Sequence, residues 1–178
     1  MTRLLVLLLL VLPFNTAPAE ENPPAKGFNT AASDPKAISV ADQAMTAMGG
    51  RKNWDATRYI TWRFFGFRLH VWDKWTGDIR FEQGELTVLM NIHSKEGRAF
   101  AAKLEHGYRV WINDSYWLVM PYKLKDSGVT LSYRSVEQIE NGRTADTLEL
   151  TFADVGVTPQ NKYAVWVDQE SHLVTQWG

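Results

Sequence analysis

The side chains best able to do chemistry are four histidines, His70, His93, His106 and His172, and they are scattered along the chain. No HExxH or comparable pair brings two of them together as metal ligands, so each reads as a structural or surface histidine. Asp73 and Asp78 flank Trp75-Thr76-Gly77, and two carboxylates across a turn could serve glycoside hydrolysis. Polar strand ends and turn capping explain them more simply. There is no GxSxG elbow, and Gly49-Gly50 follows a helical pattern where a phosphate loop would follow a strand. The chain has no cysteine, which excludes a thiol nucleophile, a disulfide, a cysteine metal site and a lipid anchor on cysteine. A non-enzymatic protein with neither cofactor nor metal is therefore expected.

What remains is aromatic chemistry. With eight tryptophans the chain must build either a large aromatic core or an apolar groove, and composition does not separate the two. The densest stretch is Gly107–Gly128. There Tyr108, Trp111/Ile112, Tyr116 and Val119/Met120 recur every three to four residues, a period that predicts a helix over Tyr108–Met120. Pro121 ends it, Lys123 and Lys125 set positive charge beyond its last carbonyls, and Ser127-Gly128 turns the chain. YRVWI alone would also pass for a strand. A helix so apolar must lie on a hydrophobic surface. Trp62, Phe64, Trp72, Phe81, Trp111, Tyr116, Trp117 and Met120 are the candidate lining of an apolar cavity; the same residues would equally pack against one another as a closed core.

The elements that position these residues follow from the rest of the chain. Arg3, the apolar run Leu4–Leu12 and the small-residue site Ala17-Pro18-Ala19 read as a secretory signal peptide over residues 1–19, cleaved before Glu20. That run is too short to anchor the protein permanently in a bilayer. The mature chain is expected to be soluble, periplasmic or secreted, without an integral membrane span. Residues 20–34, rich in Pro, Ala, Asn and Ser, read as a flexible tether. Pro35 or Lys36 then opens a helix to about Met48, with Asp34 as N-cap, Ile38, Ala41, Met45 and Met48 as its apolar stripe, and Gly49-Gly50 as its stop.

From Thr57 the period changes to two. Strands are expected at Thr57–Phe65, Leu69–Lys74, Asp78–Gln83 and Leu86–His93, then at Val129–Val136, Thr144–Phe152, Lys162–Val167 and His172–Trp177. Connections that short enforce antiparallel neighbours, and the absence of repeats predicts one domain and one sheet over residues 35–178. Neither face of the first strands is cleanly polar, so cover on both sides is expected. Ser94–Glu105 is ambiguous, with a weak helical stripe. The last strand stops at Gly178 without a polar cap, which leads to the expectation that the natural chain continues or that this edge meets another segment.

Several of these segments together resemble bacterial periplasmic proteins of the LolA/LolB type: the helix ending Met48-Gly49-Gly50 before Trp54, the antiparallel strands, the helical insertion ending Met120-Pro121, and Tyr163-Ala164-Val165-Trp166-Val167-Asp168 before a last strand. His70-Val71-Trp72-Asp73, Trp117-Leu118-Val119-Met120-Pro121 and the Asp126–Val129 turn are more closely similar to an uncharacterised bacterial family described as outer-membrane lipoprotein-sorting-like. The resemblance implies an α+β fold, a curved antiparallel sheet forming an incomplete barrel with helices over its concave face. It also implies a cavity that holds a lipid or the acyl chain of a lipoprotein. No individual site is carried over from the carriers.

Two other functions stay open. Exposed tryptophans on a sheet would suit a carbohydrate-binding module, and an exposed sheet edge would suit docking on another envelope protein. A net charge of −1 gives no general attraction for nucleic acid.

Overall fold

The computed structural model describes residues 21–94, 102–153 and 160–178. The expected signal peptide lies outside the described residues, as do 95–101 of the ambiguous Ser94–Glu105 segment and most of the loop Ala153–Gln160. The architecture is α+β: helices α1 (Pro35–Ala47), α2 (Gly50–Ala56) and α3 (Ala102–Val119), with strands β1 (Tyr59–Phe64), β2 (Arg68–Asp73), β3 (Asp78–Gln83), β4 (Leu86–Asn91), β5 (Val129–Gln138), β6 (Thr144–Phe152), β7 (Tyr163–Asp168) and β8 (Val174–Trp177).

The strands form two antiparallel four-stranded sheets, β1-β2-β3-β4 and β5-β6-β7-β8, and neither closes into a barrel. This corrects the expectation of one sheet. Within the first group the turns are too short to allow anything but hairpins, and in the second only the connection from Phe152 to Tyr163 is long, whereas α3 and the segments around it separate β4 from β5.

In the first sheet the register aligns Trp62, His70, Phe81 and Val88 as one cross-strand row, with Ile60, Trp72, Ile79 and Met90 as the next. This is the face that α3 covers. Tyr59, Phe65 and Leu89, on the opposite face or at the hairpin tip, are 61%, 77% and 67% exposed, so cover on both sides is not what the described residues show. In the second sheet Val129, Leu131, Leu148, Leu150, Val165 and Val167 form a core with Ala37, Val40, Ala41 and Ala44 of α1, and with Met120 and Leu124 beyond α3. Small residues on α1 let its backbone approach the sheet closely.

Three further differences have physical reasons. Residues 21–34 are not a free tether: Phe28 is buried, and the segment runs along the edge of β5 through Asn29 N–H to Val129 O at 3.0 Å and Asp34 N–H to Leu131 O at 2.8 Å. The polar composition concealed one apolar anchor and a run of backbone groups that satisfy an otherwise open sheet edge. Gly49, at φ +102°, does end α1, yet Gly50 at once opens α2, which carries Trp54. Finally, α3 begins at Ala102, before the expected Tyr108, and ends at Val119, with Met120-Pro121-Tyr122-Lys123 continuing as a tighter 3-10 turn. Pro at the second position of that turn needs no N–H partner there.

Candidate functional site: an aromatic cavity beside the crossing helix

Helix α3 touches both sheets, and each half of it meets a different one. Near its start Gly107 lies so close to β4 that a Cβ added there would be 3.0 Å from Val88 Cγ1. One turn on, Trp111 meets Trp72 of β2 edge to face, ring centroids 5.3 Å apart. Towards its end Tyr116 sits among Phe152, Tyr163 and Trp177 of the second sheet, at 6.3, 5.6 and 5.5 Å. Trp117 lies on Trp177 at 4.2 Å.

Between these contacts lies a cavity of about 550 Å³, walled chiefly by Trp72, Trp111, Ile112, Tyr116, Phe152, Tyr163 and Trp177. That volume falls within the range of small-molecule sites. The indole N–H groups of Trp72 and Trp111 and the Tyr116 hydroxyl are packed out of reach of solvent and have no hydrogen-bond partner. The wall they present is therefore ring and hydrocarbon, not donor. Burial pushes the Tyr116 phenol well above its ordinary range, which keeps it neutral at any physiological pH. Polar groups also line it: Lys123 pairs with Asp126 at 2.5 Å, Asp126 also accepts from Ser127 N–H at 2.9 Å, and Asn161 donates to the Tyr163 hydroxyl at 3.0 Å. Arg109 and Asn113, both exposed on α3, line it as well.

Of the residues expected to line a cavity, the structure brings Trp72, Trp111, Tyr116 and Trp117 together. Trp117 is 47% exposed and stands at the mouth, so it is not the buried cover that the helical pattern suggested. Met120 is fully buried against α1 and the second sheet, away from the cavity. Phe81 is fully buried beside His70, Trp62 stacks on the other face of His70 at 4.5 Å, and Phe64 leans on Arg68 at the hairpin tip. Among the lining residues missed by sequence reasoning are Phe152, Tyr163, Trp177 and Ile112. Phe152 carried a signal, since it shares a strand face with Leu148 and Leu150; what hid the rest was that two sheets, not one, supply the wall.

The second cluster around α3 is charged. Asp114, with no exposure, is hydrogen-bonded to His70 Nε2 at 2.8 Å and ion-paired with Arg68, whose Nε lies 2.9 Å away without hydrogen-bond geometry, and Asn113 donates to its other oxygen at 3.0 Å. His70 is equally buried, and burial, aided by Arg68 and opposed by Asp114, lowers its pKa. Neutral His70 then donates Nε2–H to the carboxylate and leaves Nδ1 without a partner. The cluster fastens α3 to β2. It offers no nucleophile on the free nitrogen, and among the described residues no group of three acidic or histidine side chains could hold a metal.

The Asp73/Asp78 pair is committed to its turn. Asp73 accepts from Arg58 at 2.8 Å, from Trp75 N–H at 3.0 Å and from Thr76 N–H at 3.3 Å, while Asp78 takes Thr76 Oγ1 at 2.7 Å and Asn91 Nδ2 at 2.8 Å. The Arg58 guanidinium holds Asp73 down to about 2, and its hydrogen bonds lower Asp78 too, so neither carboxyl is the proton donor that glycoside cleavage requires.

Comparison with known proteins finds no matching family model, no similar curated protein and no similar solved structure.

Proposed function

We propose that this protein is an exported binding or carrier protein that holds a lipid, or the acyl chain of a lipoprotein, in the cavity beside α3. The observation that supports this most is the cavity itself, about 550 Å³ walled largely by aromatic rings, with the polar atoms of Trp72, Trp111 and Tyr116 turned out of reach. A hydrocarbon chain needs such a wall, because any fixed donor it covered would lose its partner. Burying about ten methylenes at roughly 0.8 kcal/mol each gives on the order of micromolar affinity before ordering costs. The polar lining at Lys123, Asp126 and Asn161 leaves a place for the ligand's polar end to remain hydrated. No helix among the described residues is long and apolar enough to cross a membrane. The resemblance to lipoprotein carriers agrees with this reading.

The test is displacement of a fluorescent fatty acid from the purified protein. Saturable binding is expected, weakened about tenfold or more by Ile112→Trp, which would fill part of the cavity. No saturable binding by a folded wild-type protein would reject the carrier reading and leave a docking module.

A further inference from the structure

The hairpin between β1 and β2 ends in Phe64-Phe65-Gly66-Phe67, and the rings at its tip face water. Phe65 is 77% and Phe67 53% exposed. Phe65 and Gly66 both have positive φ, +48° and +78°, the backbone of a tight primed turn. Asn, Asp or Gly normally takes the first of these positions, because a side chain with a bulky β-carbon is strained there. A phenylalanine at that place is unfavourable twice over, once in backbone strain and once in exposed ring. The Phe65 ring meets only its own hairpin among the described residues, Phe64 at 4.4 Å between centroids and the Arg68 guanidinium, and a Cβ built on Gly66 would meet nothing within 4 Å, so that side of the tip stands clear.

The tip is nonetheless held in order. Phe67 N–H donates to Phe64 O at 3.3 Å, and Arg68, at its base, is fastened to the buried Asp114 of α3. The Arg68 guanidinium lies 5.0, 5.7 and 5.4 Å from the rings of Phe64, Phe65 and Phe67, which fan around it. A fixed cation behind a fan of rings matches the profile of a bilayer surface, phosphate above and hydrocarbon below.

We propose that this hairpin tip is a membrane-contact element, which inserts Phe65 and Phe67 into the interfacial layer of a phospholipid bilayer. The size of the patch favours lipid over protein. Two or three rings cover far less than the roughly 800 Å² that each partner of a stable protein pair contributes, whereas a fluid apolar phase needs no matching surface. Charge at this end of the sheet is mixed, with Arg63 exposed on β1 and Glu85 on the neighbouring β3–β4 turn. Insertion should therefore depend on the rings and little on anionic lipid. The proposal is independent of the cavity's occupant.

The chain has no cysteine, so Phe67→Cys carries a single environment-sensitive fluorophore, and Lys52→Cys on exposed α2 carries the control. With phosphatidylcholine vesicles the label at 67 should shift to the blue and be quenched by spin-labelled lipid, while the label at 52 should not change. In unlabelled full-length protein, Phe65→Asn and Phe67→Ser should each lower vesicle partition roughly tenfold. Phe65→Asn should melt no lower than the wild type, since it relieves the turn, so its lost partition could not be unfolding. An unchanged label at 67, or equal changes at 67 and 52, would overturn the proposal. So would a blue shift that grows with protein concentration without vesicles, which would assign the tip to a second copy of the chain.

Discussion

Asp114 helps to hold α3 in place, because one buried carboxylate lies against both His70 and Arg68. Asp114→Ala leaves a part-buried guanidinium and a buried imidazole without their partner, and a loss of about 1–3 kcal/mol in urea unfolding is expected. His70 adds a pH signature. Its folded-state pKa lies below its ordinary 6.5, so the unfolded chain takes up a proton where the folded chain resists it, and stability falls as pH drops below about 6.5. Urea midpoints of wild type and His70→Gln, measured at neutral and mildly acid pH, should show a shallower decline in the variant; parallel declines would mean that His70 contributes nothing. At the cavity mouth, Trp117→Ala should cost only about 0.5–1.5 kcal/mol, since the ring is half exposed and its main loss is the stack on Trp177. A loss of core size would put the ring inside.

At the scale of elements, the close approach of α3 to β4 rests on Gly107. Glycine within a helix costs about 1 kcal/mol relative to alanine, but a Cβ here meets Val88 at 3.0–3.3 Å, so Gly107→Ala should be nearly neutral. Gly107→Leu should push the helix off the sheet and cost about 1–3 kcal/mol, as overpacking does. Thermal melts of the two variants check this, and a tolerated leucine would contradict the contact. The segment 21–34 makes a similar point. Asn22, 4% exposed, donates to Thr46 Oγ1 at 2.7 Å and accepts from Arg51 N–H at 3.0 Å, so it joins α1 to α2, and Phe28 anchors the run beside β5. Phe28→Ala should therefore cost about 3–5 kcal/mol in chemical denaturation, whereas a flexible tether would lose nothing.

These elements also show what the sequence made legible. The strands were readable because alternation in Thr144–Phe152 and the turn residues Gly66, Gly77 and Gly84 are local signals, and the observed bounds differ by only a residue or two for most strands. The division into two sheets was not, because it depends on where α3 crosses, a long-range packing outcome without local pattern. The same limit applies to the site. Trp111 and Tyr116 could be placed on one helix, but nothing local tells that Trp111 meets the first sheet and Tyr116 the second. Met120 looked like lining because helical period carried it past Val119, where Pro121 had already tightened the chain.

For the molecule as a whole, three groups of aromatic residues have separate places. Trp62, Phe81 and His70 stack into the row that seats α3; Trp72, Trp111, Tyr116, Phe152, Tyr163 and Trp177 wall a cavity; Phe65 and Phe67 face outward. Two sheets bridged by one helix provide such a space because the helix cannot fill both interfaces at once. The proposed carrier role requires that this space receive an apolar chain. It is tested most directly by titrating the purified wild-type protein with a fluorescent fatty acid and then displacing it with unlabelled acyl chains of increasing length. Saturable one-site binding that tightens with each added methylene, until the chain outgrows the cavity, is the expected result. Binding that is absent, or that does not change with chain length, would contradict that role.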